Sequence, residues 1–186
     1  MNLTISIAIY NGSQYIKRCL DSIILAYRKV NPEDIQLTVL AINDGSKDDS
    51  LDILKNYSNH EFIKIIDKQN GGLSSVRNLS MDLCDTDYLW MIDVDDEIEE
   101  NSLVILSRLR LGEINVFNYR TFDSLGNFKF HNKCVKAEQK TTIYENKEFL
   151  LFDTASWHYV FKTTFLKQKG IQFLNNKLYE DFNWNL

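Results

Sequence analysis

Three of the four residues in Asp93-Val94-Asp95-Asp96 carry a carboxylate, and the apolar run Tyr88-Leu89-Trp90-Met91-Ile92 leads straight into them. Read as a buried strand, that run sets the acids just past its carboxyl end, where open α/β sheets bind ligands. Clustered carboxylates repel one another unless a positive charge joins them. Mg²⁺ or Mn²⁺ would do so, taking oxygen ligands from one or two carboxylates and completing its shell with phosphate oxygens and water. The plainer reading is a solvated acidic turn opening a helix, since Asp and Glu favour a helix N-terminus. The cluster by itself supports both.

Three other segments could carry chemistry. Asn43-Asp44-Gly45-Ser46 ends a second strand-like run. Asp44 there could accept the imide N–H of a uracil ring, or could form an Asx turn leading into a helix. Asn70-Gly71-Gly72-Leu73-Ser74-Ser75-Val76-Arg77-Asn78 opens a predicted helix. Paired glycines permit close backbone approach, the helix N–H groups favour an anion, and Arg77 could stack on or hydrogen-bond a nucleotide. Neither G-x-G-x-x-G nor a Walker loop is present. Glu180-Asp181 sits between Tyr179 and Phe182, where aromatic neighbours could raise a carboxyl pKa and suit a general base. Two surface acids near a helix start would look the same. His60, His131 and His158 lack metal-ligand spacing, and no nucleophile elbow supports serine hydrolase chemistry.

The elements that must position these groups alternate. Leu3 to Tyr10, Ile35 to Ile42, Phe62 to Ile66, Tyr88 to Ile92 and Ile114 to Tyr119 read as strands. Between them Ser13 to Tyr27, Asp48 to Tyr57, Ser74 to Leu83 and Asn101 to Leu111 read as helices. That rhythm predicts a Rossmann-like, mostly parallel α/β sheet with helices on both faces. After Arg120 it breaks. Thr121 to Cys134 reads as a hairpin turning at Asp123-Ser124-Leu125-Gly126-Asn127, followed by a short helix over Glu145 to Phe152, a strand Trp157 to Phe161, a helix from Thr163 and the run Ile171 to Phe173. No linker divides the chain, so one domain over 1–186 is expected, with a nucleotide-binding half (1–119) and a smaller extension (120–186).

Composition narrows the function. The 186 residues are 44% hydrophobic, enough for a proper core. Against 26 acids stand 21 bases, a net charge of -5 with no basic block, so nucleic acid is not the expected partner. Apolar runs are strand-length, far short of the roughly 20 residues a bilayer requires. Cys19, Cys84 and Cys134 are odd in number and widely spaced, as buried thiols of a reducing compartment would be. Cytoplasmic residence is expected.

Taken in order, Ser6 to Gly12 with Tyr15 and Cys19-Leu20-Asp21-Ser22-Ile23, then Asn43 to Asp48, Asn70 to Asn78 and Asp93 to Asp96 resemble the family-two GT-A glycosyltransferases. Trp157 to Lys162, Ile171-Gln172-Phe173 and Tyr179-Glu180-Asp181 look more weakly like that family's acceptor-side segments. The resemblance implies inverting transfer of a sugar from a UDP-linked donor to a hydroxyl of a saccharide or lipid-linked saccharide, with Mn²⁺ or Mg²⁺. It implies that Tyr10 and Asn11 border the nucleotide, Asp44 binds uracil, Arg77 supports the nucleotide, Asp93 and Asp95 fill the D-x-D positions with Asp95 the direct metal ligand, and Asp181 is the catalytic base. Surface polysaccharide or glycoconjugate assembly is the expected setting, by family analogy, with peripheral attachment at the inner membrane face compatible with it.

Departures from the pattern are Ala8-Ile9 where Pro usually precedes the Tyr-Asn pair, Asn43 in place of an acid, and the absence of Q-x-x-R-W, which implies a non-processive enzyme. Leu186 follows Glu180-Asp181 so closely that an acceptor side incomplete at its C-terminal end is expected. A nucleotidyltransferase and a nucleotide-sugar-binding fragment without an acceptor site are the competing readings. The first would call for a Gly-rich, basic phosphate signature that Tyr10-Asn11-Gly12-Ser13 lacks.

Overall fold

The computed structural model describes residues 1–122, 127–131 and 156–174. Strands β1 (Asn2–Ile9), β2 (Gln36–Asn43), β3 (Ile63–Asp67) and β4 (Tyr88–Asp93) alternate with helices α1 (Ser13–Arg28), α2 (Ser50–Lys55) and α3 (Leu73–Leu83). Helix α4 (Ser102–Arg108) then leads to β5 (Ile114–Val116), β6 (Tyr119–Phe122) and β7 (Phe128–His131). A 3₁₀ turn (Ser156–His158), β8 (Tyr159–Lys162) and α5 (Thr163–Lys169) complete the described chain.

Alternation within β1 sorts the two faces. Leu3, Ile5, Ile7 and Ile9 point one way and pack with Ile16, Leu20 and Ile23 of α1 and Leu103 and Leu106 of α4. In α1 the buried positions Ile16, Cys19, Leu20 and Ile23 recur at i, i+3, i+4 and i+7, which makes one apolar stripe. Each side chain so buried contributes about 1.5–3 kcal/mol. Thr4 and Ser6 point the other way, where small hydroxyls let α3 approach: Ser6 Oγ and Ser80 Oγ lie 2.5 Å apart. Farther along that face Leu89 and Met91 pack with Met81 of α3 and with Phe165 and Leu166 of α5.

Strand order in the main sheet is β3-β2-β1-β4-β8-β5. The first four are mutually parallel and β8 is antiparallel to both its neighbours, so the sheet is mostly parallel as the alternation predicts. From β1 the chain steps outward to β2 and β3, then crosses back to place β4 on the other side of β1. That reversal opens a crevice at the carboxyl ends of β1 and β4. Register keeps the four ends level, with Ile9 beside Asn43, Asn43 beside Asp67 and Ala8 beside Asp93.

Several predicted boundaries shift for identifiable reasons. Ile114 to Tyr119 is not one strand. Phe117 stacks on Trp90 at 5.8 Å, and the chain leaves the ladder there to begin β6. The strand expected at Trp157 begins only at Tyr159, because the Trp157 carbonyl accepts from Trp90 Nε1 at 2.7 Å while its own residue sits in the 3₁₀ turn. The second helix starts at Ser50 and not at Asp48, whose carboxylate accepts from the Ser50 N–H in an Asx turn. The hairpin forms as β6 and β7, pairing Tyr119 with His131 and Phe122 with Phe128. Asp123 to Gly126 of its turn, Cys134, the helix expected over Glu145 to Phe152, and Glu180 and Asp181 lie outside the described residues.

Candidate functional site

Four loops leave the carboxyl edge of the parallel strands, and side chains tie them together. After β1, Asn11 adopts a positive φ of 50°, which Asn tolerates better than most residues. Its N–H donates to Ser46 Oγ at 2.9 Å and its Oδ1 accepts from the Lys47 N–H at 2.8 Å, joining the first loop to the second. A Cβ on Gly12 would lie 2.8 Å from Cγ1 of Val94, so the first loop also presses on the fourth. Tyr10, half exposed, stands at the lip.

Asp48 braces the same junction, its carboxylate accepting from the Ser13 and Ser50 N–H groups at 3.0 and 3.1 Å. Some loss of water around it pulls its pKa upward, but the Ser50 hydroxyl and these two N–H groups outweigh that and hold it at about 2.

Asp44 organises the third loop. Its carboxylate is buried and accepts from the Gly71 N–H at 2.9 Å, the Gly72 N–H at 2.8 Å and the Lys68 ammonium at 2.5 Å. Asn70 Nδ2 donates back to the Asp44 carbonyl at 2.9 Å. A Cβ on Gly45, at φ +68°, would meet the Asn70 nitrogen at 2.8 Å, so only glycine fits this crossing. Asp44 therefore has a turn-anchoring role, and a carboxylate with about four acceptor directions keeps one beyond these three donors.

At the end of β4, carboxylate oxygens of Asp93, Asp95 and Asp96 all lie within 4.8 Å of one another. Arg18 of α1 steadies the loop, donating to the Asp95 carbonyl at 2.7 Å and pairing with Glu97 at 3.0 Å. Arg77 lies beneath, only 3% exposed, its guanidinium 3.3 Å from Asp93 Oδ1 and 5.3 Å from the centre of the Phe173 ring. The sequence expectation aimed Arg77 at a nucleotide; in this structure its described contacts are Asp93 and Phe173. Tyr10, Asn11, Asp44, Asp93 and Asp95 stand on one edge of the sheet, whereas Asp181 lies outside the described residues.

Two participants were given no role of their own from sequence. Asp96 is partly buried against its neighbours, and burial first, then the charges of Asp93 and Asp95, push its pKa up to about 7. Lys68 meets Asp44 across the β2–β3 boundary. Only the count of acids could have pointed to Asp96, and nothing local to Lys68.

The Asp96 shift has a sign that can be measured. A carboxyl whose pKa is higher folded than unfolded keeps its proton while the unfolded chain has released it, so folding takes up a proton between about pH 4 and 7. In EDTA the melting temperature should therefore decline as pH rises from about 5 to 7.5, and Asp96→Asn should flatten that decline. An unchanged slope in the variant would mean that Asp96 ionises normally.

A profile of the family described as Glycosyl transferase family 2 matches residues 4–172. The chain belongs to that family. Among curated family members it is 31% identical over 195 residues to Glycosyltransferase GlyA of Streptococcus pneumoniae, an alignment covering 96% of this chain and 27% of GlyA. It is 33% identical over 164 residues to the chondroitin synthase of Pasteurella multocida, covering 84% of this chain and 16% of that enzyme. The chain thus spans about a quarter or less of the length of these relatives. Residues 1–349 of S. aureus TarS superpose with a TM-score of 0.77 at 20% identity over 98% of this chain and 53% of that 1–349 chain, which has also been solved with UDP-GlcNAc. The mannosyltransferase PcManGT from Pyrobaculum calidifontis, solved with GDP-Man and Mn²⁺, superposes at 0.63 with 15% identity over 97% of this chain and 49% of its own. At such identities the likeness establishes the fold, which is GT-A. Among the described residues no helix is long and apolar enough to cross a membrane.

Proposed function

We propose that this family 2 chain transfers a hexosyl or N-acetylhexosaminyl group from a UDP-sugar to an acceptor hydroxyl, with inversion and without processivity. The observation that carries this reading is the convergence of four motif loops on one sheet edge, where three carboxylates crowd together at the topological switch point. Hard oxygen donors this close suit Mn²⁺ or Mg²⁺. Asp95, exposed at the loop tip, would be the direct ligand, Asp93 would hold the donor side, and Asp96 would give up its proton as the cation arrives. When bound, the cation offsets charge on the departing diphosphate.

The remaining roles fall to the chain's own groups. Tyr10 and Asn11 line the nucleotide, Asp44 accepts the uracil imide N–H, and Arg77 supports the site by holding Asp93 in place. Asp181 takes the proton of the attacking hydroxyl. That fold neighbours bind UDP-GlcNAc and GDP-Man supports a nucleotide-sugar donor, and the chondroitin synthase relative supports polysaccharide synthesis as the setting.

A thermal-stabilisation panel of UDP-, GDP- and CDP-linked sugars in Mn²⁺ tests the donor. A UDP-sugar should give the largest shift, and preference for a purine donor would overturn the reading. Asp44→Asn retains a carbonyl for one glycine N–H but turns an amide donor toward the imide. It should weaken UDP by about 1–3 kcal/mol and remove the parent's discrimination against N3-methyl-UDP. Persistent discrimination would leave Asp44 with its turn-anchoring role alone.

A further inference from the structure

Lysines usually run their stems along the surface and keep the ammonium in water. Lys68 does not. Its side chain is 20% exposed, and Nζ donates to Asp44 Oδ1 at 2.5 Å and to the Gln69 carbonyl at 2.7 Å. Glycine at position 71 leaves room for Ser75 and for this path, since a Cβ there would lie 2.6 Å from Ser75 Oγ and 3.1 Å from Nζ. The Asp44 side chain beneath it is 3% exposed. Lys68 thus shares the buried carboxylate with the Gly71 and Gly72 N–H groups.

We propose that Lys68 reads the nucleobase together with Asp44, an inference that rests on the UDP-donor reading. Along one edge uracil presents a carbonyl, an N–H and a second carbonyl. A carboxylate beside an ammonium presents an acceptor and then a donor at matching spacing, so Asp44 accepts the imide N–H while Nζ swings on its flexible stem to the adjoining carbonyl. Asp44 is not left unpaired by that movement, because the two glycine N–H groups stay on it and the imide replaces the ammonium. Lys68 therefore satisfies a buried charge before the base arrives and contributes a base contact afterwards.

Calorimetric titration in Mn²⁺ tests this with UDP, 2-thio-UDP and 4-thio-UDP, sulfur being a poorer acceptor than oxygen. The parent should bind one thio analogue more weakly than UDP. Lys68→Met should weaken UDP by about tenfold or more, as loss of a hydrogen bond from a charged donor does, and should bind UDP and that analogue alike. Lys68→Arg, which keeps the cation, should recover most of the affinity. Equal binding of all three nucleotides by the parent would overturn the proposal, and that measurement does not depend on any variant folding. So would a Lys68→Met loss that is the same for UDP and both analogues, which would make the ammonium a mere neutraliser of Asp44. If the parent fails to bind UDP while binding another nucleotide, the donor reading itself falls and this inference with it. A parent that binds UDP but is matched by Lys68→Met removes only the role of Lys68.

Discussion

Asp181→Asn should bind UDP with the parent's affinity and lose about 10²–10⁴ in transfer rate, the usual contribution of a positioned general base. The separation is expected because the base touches the acceptor hydroxyl and not the diphosphate, so a variant lacking it forfeits turnover and keeps donor binding. Asp181 itself is outside the described residues, but Phe173 and Leu174 upstream of it are described. Asn78 of α3 holds Phe173 by both backbone groups, at 2.9 Å to its carbonyl and 2.8 Å from its N–H, and Ser74 Oγ donates to the Leu174 carbonyl at 2.8 Å. Phe173 lies against Arg77, which reaches Asp93. Seven residues beyond Leu174 span at most about 24 Å, so a chain anchored there has the reach to return a carboxylate to the acidic edge. Transfer would be measured with a UDP-sugar that stabilises the protein and a panel of saccharide acceptors. Retained transfer would move the role to Glu180, and lost UDP binding would place Asp181 in the donor site.

The second large effect concerns the metal. With UDP at about 100-fold over its Kd, binding should stabilise the parent by about 2.7 kcal/mol, roughly 5–11 °C in melting temperature for a domain of this size. Asp95→Asn should lose the part of that shift that requires Mn²⁺. Asp95 is the better probe of the pair because it is exposed and Arg18 contacts only its carbonyl. Asp93→Asn would in addition take a carboxylate from the buried Arg77, and the resulting destabilisation would mix with any loss of metal. Identical shifts with and without Mn²⁺, in parent and variant, would remove Asp95 from the metal site.

What could be read without coordinates was whatever is local or periodic. Strand-length apolar runs ending at Tyr10, Ile42 and Ile92 located the sheet edge to within a residue or so, because alternation and turn chemistry act over short spans. Neighbour relations were harder. Nothing near Tyr159 to Lys162 says that this strand inserts between β4 and β5, since an apolar strand buried on both faces carries no mark of its partners. Lys68 and Asp44 are 24 positions apart and meet only through the register of β2 with β3. Arg77 sits in a motif that could have faced a ligand, and its burial beside Asp93 comes from the packing of α3 on the sheet. The raised pKa of Asp96 has the same origin, depending on how deeply one acid of three is set.

The insertion of β8 has a consequence for the newly made chain. Trp90 and Trp157, which meet across the β4 side of the sheet, are separated by 67 positions. At ribosomal speeds of about 5–20 residues per second, β4 waits roughly 3–14 seconds before its partner strand is synthesised. In that interval the nascent sheet has an open, hydrophobic edge carrying Leu89 and Met91, of the kind that invites pairing with another chain. Yield in cells should accordingly depend on chaperone supply and translation rate more than the equilibrium stability of the finished fold would indicate.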